Sequence, residues 1–190
     1  MVTSLSLPPF NYFVINFFTF SLFFLFLIKK SNQHKNKKFF FMYGWLFGFG
    51  YFVTNLYWIS ISLSFDQSFK FLIPLTIVLI PAFLALFYGL LTFLLIVLKP
   101  NKIISSFLIF SLLFGIFEFI RGIIFTGFPW NLIAYSFSSQ LEVLSIISII
   151  GTYSFNLVCI SLFTSPALFL LRESKKEIVI CISLFFIFSS

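Results

Sequence analysis

Apolar residues fill this chain in long blocks, and polar residues interrupt them at only a few places. The first block runs from Phe10 to Ile28 and ends at Lys29, Lys30, Lys35, Lys37 and Lys38. Others cover Phe39 to Ser60, Phe71 to Leu98, Ile103 to Phe125 and Val143 to Leu171, and a sixth begins at Ile178 and reaches Ser190. Crossing a hydrocarbon layer roughly 30 Å thick takes about 20 apolar residues in a helix. The pattern therefore predicts an all-α fold: a polytopic transmembrane helix bundle of about six spans, with residues 1–190 forming one membrane domain. The third block, 28 residues with Pro74 and Pro81, is longer than the bilayer needs, which predicts a tilted, kinked or partly interfacial helix. The sixth offers only 13 residues, about 20 Å of helix, so the last span is expected to be truncated. Only Val2 to Leu7 precede Pro8-Pro9, too few for a span, and the start reads as clipped. No basic flank precedes the first apolar stretch, so it is not expected to be a signal peptide.

Composition narrows the class. A mean hydropathy of +1.13, with 61% hydrophobic and 9% charged residues, excludes a soluble domain. The 34 phenylalanines are spread through the blocks and are read as ordinary lipid-compatible helix filling. A net charge of +7 would suit a nucleic-acid partner, but ten of the twelve basic residues sit in alternate loops. Positive-inside topology accounts for them, so no nucleic acid is expected. The same rule predicts a cytoplasmic Lys29–Lys38 loop and an outward Thr126–Glu142 loop, with the lysines also attracting anionic headgroups.

Two charges lie inside an apolar block. Glu118 and Arg121, three apart, share a helix face and can neutralise each other. An intramembrane charge costs at least roughly 2.5–3.5 kcal/mol to insert, so it marks either a pairing or a function. The pair is expected to fix its helix against neighbours, with Arg121 also meeting a phospholipid phosphate or holding the outward loop. Gly127, Phe128, Pro129 and Trp130 follow as a turn, since Pro129 removes a backbone donor and Gly127 permits unusual angles. Trp58, Trp130 and Tyr135 suit either interfacial anchoring or the lining of a lateral lipid entry. Asn55 is expected to bond a neighbouring helix or a lipid, and Asn131 and Thr126 to satisfy the turn's backbone. Gly44-x-x-x-Gly48 permits a close helix contact, and Ser60, Ser62 and Ser64 need no function. His34 lies in the lysine-rich loop, and Cys159 and Cys181 lie in apolar runs without a neighbouring acid or base. No catalytic residue, metal site or cofactor is expected.

The stretch from Glu118 to Trp130, read as E-F-x-R-G-x-x-x-T-G-F-P-W, resembles a signature of the apolipoprotein N-acyltransferase family. Similar blocks run from Gly44 to Gly50 and from Asn55 to Ser62, with Leu7-Pro8-Pro9-Phe10-Asn11 and Gly151 to Asn156 at the two sides. The resemblance implies the amino-terminal membrane domain of a bacterial inner-membrane enzyme. That enzyme moves an acyl chain from a phospholipid to the amino group of a lipidated apolipoprotein. It also implies a nitrilase-like domain with a Glu–Lys–Cys arrangement, to which no residue here corresponds. The chain is thus expected to be inactive alone, with membrane phospholipid and lipidated apolipoprotein as partners and the signature facing the periplasm. Two alternatives remain open: a non-enzymatic lipid-binding or assembly partner of a separately encoded nitrilase-like domain, and a small transporter.

Overall fold

A computed structural model describes residues 2–33, 36–98, 100–124 and 127–171. A 3-10 turn over Val2–Ser6 leads to α1 (Val14–Gln33). Next come α2 (Lys37–Asn55), α3 (Tyr57–Ser64), a 3-10 turn over Gln67–Leu72, α4 (Ile73–Leu98) and α5 (Ile103–Ile123). A 3-10 turn over Ile133–Phe137 precedes α6 (Leu141–Leu144), α7 (Ile147–Ile150), α8 (Thr152–Thr164) and α9 (Pro166–Leu170). The described residues are helical and turn structure without strands. They hold five helices long and apolar enough to span a membrane: Val14–Gln33, Lys37–Ser64, Lys70–Leu98, Ile103–Ile123 and Thr152–Leu170. The expected sixth span from Ile178 lies outside the described residues, as do His34, Lys35, Lys99, Phe125, Thr126 and Cys181.

Several expected boundaries move, each for a local reason. The first span starts at Val14 rather than Phe10, because the preceding backbone is turned. Asn11 has φ 57, Tyr12 N–H donates to the Leu5 carbonyl at 3.0 Å, and the Pro8-Pro9 peptide is cis. The second span is interrupted at Leu56, which leaves helical geometry and separates α2 from α3. The largest correction falls on the expected span Val143–Leu171. Gly151, at φ 82 and ψ 158, breaks it, so Val143 to Ile150 form α6 and α7 while the spanning helix starts at Thr152. That backbone conformation is open to glycine at no Cβ cost.

Helix α2 packs on α4, α4 on α5, α5 on α8 and α8 on α1. Between lipid-bathed helices little hydrophobic gain remains, so packing and hydrogen bonds must supply the adhesion. Small residues let α2 and α4 touch. A Cβ on Gly44 would fall on Thr92 Oγ1 and the Tyr88 carbonyl, and one on Gly48 would lie 2.9 Å from the Tyr88 ring. That approach allows Thr92 Oγ1 to donate to the Phe40 carbonyl at 2.6 Å and Trp45 Nε1 to donate to the Ala82 carbonyl at 3.0 Å. The remaining core is aromatic. Phe114 meets Tyr88, Phe20 and Phe110 edge-on at 4.8, 5.4 and 5.4 Å, and such pairs contribute about 0.5–1.5 kcal/mol each. Many of the phenylalanines are therefore interlocking core parts rather than filling alone.

Helix α1, 20 residues long, runs about 30 Å from the end of the bundle holding the Gly127–Trp130 turn to the end holding Lys29, Lys30, Lys37 and Lys38. These are called here the turn end and the lysine end.

Candidate functional site

At the turn end, the two intramembrane charges meet. Glu118 and Arg121 form an ion pair with both side chains at 0% exposure, Arg121 Nη2 donating to Glu118 Oε2. Tyr88 on α4 donates its hydroxyl to the other carboxylate oxygen at 2.7 Å. A buried carboxylate left bare would cost several kcal/mol, and here both of its oxygens are satisfied. The guanidinium also reaches forward along the chain. Its Nη1 donates to the carbonyls of Phe128 at 2.8 Å and Trp130 at 2.9 Å, while Phe52 lies 5.2 Å from Cζ as an aromatic face. Nε has no partner.

The chain bends back toward this arginine because α5 ends in a tight turn. Ile124 is extended, Gly127 has φ 73, and the Gly127 and Phe128 amides donate to the Ile124 and Arg121 carbonyls. A second anchor holds the next residue. Tyr51 on α2 donates its hydroxyl to the Asn131 carbonyl at 2.7 Å, with Asn131 at φ 59. Beyond it the loop folds onto the bundle: Leu132, Ile133, Ala134, Ser136 and Phe137 are buried, and Asn156 on α8 accepts from the Ala134 amide at 2.9 Å. The expected outward loop is thus largely packed rather than free.

This held loop forms one wall of a cavity of about 1020 Å³. Leu5, Leu7 and the Pro8–Phe10 turn face it from one side, Thr54, Asn55, Tyr57 and Trp58 from another, and Pro129, Trp130, Asn131, Tyr135 and Ser138 from the third. Among the described residues no charged side chain lines it. Trp58 and Trp130 stand edge to face with ring centroids 6.2 Å apart, and both are exposed. Partial burial pushes the Tyr135 phenol above its ordinary range; Tyr153 adds to this and Arg121 opposes it. Among the described residues no group of His, Cys, Asp or Glu could hold a metal ion.

Comparison with known proteins decides the family. The sequence model described as "Apolipoprotein N-acyltransferase N-terminal domain" matches residues 1–162. The chain belongs to the apolipoprotein N-acyltransferase family. Proteins named apolipoprotein N-acyltransferase share its sequence at 34% identity in Rhizobium rhizogenes, covering 90% of this chain and 33% of that protein. Identity is 37% in Rhodopseudomonas palustris, over 87% of this chain and 31% of that protein, and 38% in Rickettsia typhi, over 82% and 30%. The chain spans about a third of the length of the relatives it matches.

The structure gathers the candidate residues into one region at two depths. Glu118 and Arg121 lie buried behind the wall; Asn55, Trp58, Pro129, Trp130 and Tyr135 line the cavity, and Gly127 and Phe128 form the turn between. Of the two roles expected for Arg121, it takes the hold on the outward loop: it is 1% exposed and its fork is occupied by one carboxylate and two carbonyls. Two expectations need correction. Asn55 bonds its own helix, donating from Nδ2 to the Tyr51 carbonyl at 2.9 Å. Asn131 has its carbonyl bonded by Tyr51 instead, and its side-chain Nδ2 is buried without a partner among the described residues. Ser60, Ser62 and Ser64 donate back into α3 or its first turn. Sequence reasoning missed Tyr51 and Tyr88. A signal was present, since a phenol within an apolar block needs a partner for its hydroxyl.

Proposed function

We propose that this chain is the membrane part of a phospholipid:apolipoprotein N-acyltransferase. Its cavity holds lipid while an acyl chain moves to the amino group of a lipidated N-terminal cysteine. The observation that carries this reading is the uncharged cavity at the turn end, walled by a loop that a buried arginine clamps. An acyl chain of a phospholipid or of a lipidated apolipoprotein can enter it without desolvating a charge. Asn55, Tyr135 and Ser138 offer the few polar groups that orient a ligand in such a site. The clamp keeps Trp130 across from Trp58, so the cavity's shape is set before lipid arrives.

The chemistry of transfer belongs to a nitrilase-like domain, in the same polypeptide or separately encoded. Cys159 offers no substitute, being 1% exposed within α8, where no base can generate the thiolate that attacks an ester. The setting proposed is the inner membrane of a bacterium, with Lys29–Lys38 cytoplasmic and Thr126–Glu142 on the periplasmic side. The basic residues in alternate loops support that orientation. A chimera tests the whole reading: this chain replaces the matching third of the Rhizobium rhizogenes protein, in cells depleted of their own enzyme. Triacylated lipoprotein should appear by mass spectrometry with the chimera and not with these 190 residues alone. A folded chimera giving no triacylated product, or activity from the chain alone, would overturn it.

A further inference from the structure

The lysine end carries a second feature, separate from the turn-end cavity. Between α2 and α4 a shallow groove of about 390 Å³ is lined by Lys38, Phe41, Leu90 and Phe93. Its floor depends on Gly89. A Cβ there would lie 2.8 Å from the Phe41 ring, so the missing side chain lets that ring close on α4. Phe41 and Phe93 are half-buried and Leu90 is 43% exposed, so the groove opens sideways from the bundle, toward lipid.

Depth fixes what could enter. Lys38 is the second residue of α2, and Phe41 follows one turn further along. Leu90 and Phe93 lie in the last third of α4, which ends at Leu98. The groove therefore begins at the membrane boundary and descends about one helical turn, roughly 5 Å. The stem of the exposed Lys38 lines its upper edge, with three apolar side chains below. Among the described residues the ion pair is that of Glu118 with Arg121, so Lys38 has no protein counter-ion there. Lys29, Lys30 and Lys37 share this end, and among the described residues the acidic side chains Asp66, Glu118 and Glu142 lie in other parts of the chain.

We infer that this groove is a binding site for one anionic phospholipid, its phosphate on Lys38 and the start of an acyl chain against Phe41, Leu90 and Phe93. Positive charge at the headgroup level and an apolar slot beneath it complement that molecule and no soluble anion. The site would select among bilayer lipids at the end of the bundle away from the cavity, whatever that cavity does.

Native mass spectrometry tests it on the full chain, released from micelles with equal amounts of dioleoyl-phosphatidylglycerol and dioleoyl-phosphatidylcholine. The singly lipid-bound protein should carry mostly phosphatidylglycerol. Lys38→Gln should lower that preference about fivefold, the worth of one lysine at an anionic surface. Leu90→Trp fills the groove without changing charge and should lower it comparably. Lys30→Gln removes the same charge outside the groove and should leave the preference close to the parent's. Equal losses in Lys38→Gln and Lys30→Gln would mean diffuse attraction by the lysine cluster and end the proposal. So would a parental preference in Leu90→Trp, since a lipid seated in the groove could not ignore the new ring.

Discussion

The charges at the two ends of the bundle are governed by opposite physics. At the turn end one carboxylate and one guanidinium are shut away from solvent, with Tyr88 and two backbone carbonyls completing their bonds. At the lysine end the ammonium groups of Lys37 and Lys38 are exposed, without an ion-pair partner among the described residues. Removing a buried charge leaves its partner stranded in a low dielectric, whereas an exposed lysine contributes little to folding. The same side-chain class therefore builds structure at one end and meets the surroundings at the other. Burial decides between the two.

The broadest way to break this contrast is to show that the ends lie on one side of the membrane. Ser139→Cys, exposed beside the packed loop, should react with an impermeant thiol reagent from outside intact cells. Asn36→Cys, exposed at the start of α2, should react only after the membrane is opened. Equal labelling of both in intact cells would remove the two-sided arrangement.

The next largest effect concerns the ion pair. Glu118→Leu should cost about 3–5 kcal/mol, because it strands the Arg121 guanidinium among apolar groups. Glu118→Leu with Arg121→Met should recover part of that loss while releasing the Phe128 and Trp130 carbonyls. Unfolding in detergent, followed by circular dichroism, reads both changes. A double variant less stable than the single would show that the arginine's grip on the loop outweighs its pairing.

Smaller effects separate the two tyrosines. Tyr88→Phe removes a hydrogen bond to an ionised acceptor and should cost about 1.5–3 kcal/mol. Tyr51→Phe removes one to a neutral carbonyl and should cost about 1 kcal/mol, but it frees Asn131 next to Trp130. Tyr51→Phe should therefore redden Trp130 emission in a Trp45→Phe, Trp58→Phe background, and Tyr88→Phe should leave that emission closer to the parent's. The reverse order would put the loop's anchor on α4 instead of α2.

These contrasts also explain what was legible in the sequence. Spans were readable because apolar length is a local property, and the Glu118–Arg121 pairing because three-residue spacing fixes a helix face. That α2 carries a close-contact face was visible in Gly44 and Gly48 for the same reason, but not that α4 meets it. The break at Gly151 was hidden, since the residues on both sides are equally apolar and only the backbone angle separates them. Partners were hidden too. Tyr88 lies 30 positions from Glu118, and Tyr51 lies 80 from Asn131, distances that no periodicity spans. For Arg121 the sequence left two acceptors open, a phosphate or the outward loop, because it showed a fork with room for both. It could not show that the chain itself would return to supply two carbonyls.

Arg121 grips positions 128 and 130 by their carbonyl oxygens, a group every amino acid carries. The mooring is therefore indifferent to which side chains stand there. Trp130 can be exchanged for a smaller residue, altering the cavity mouth, while the loop stays fastened at the same height. Change in the cavity's shape and preservation of the scaffold are thereby assigned to different atoms of the same residues.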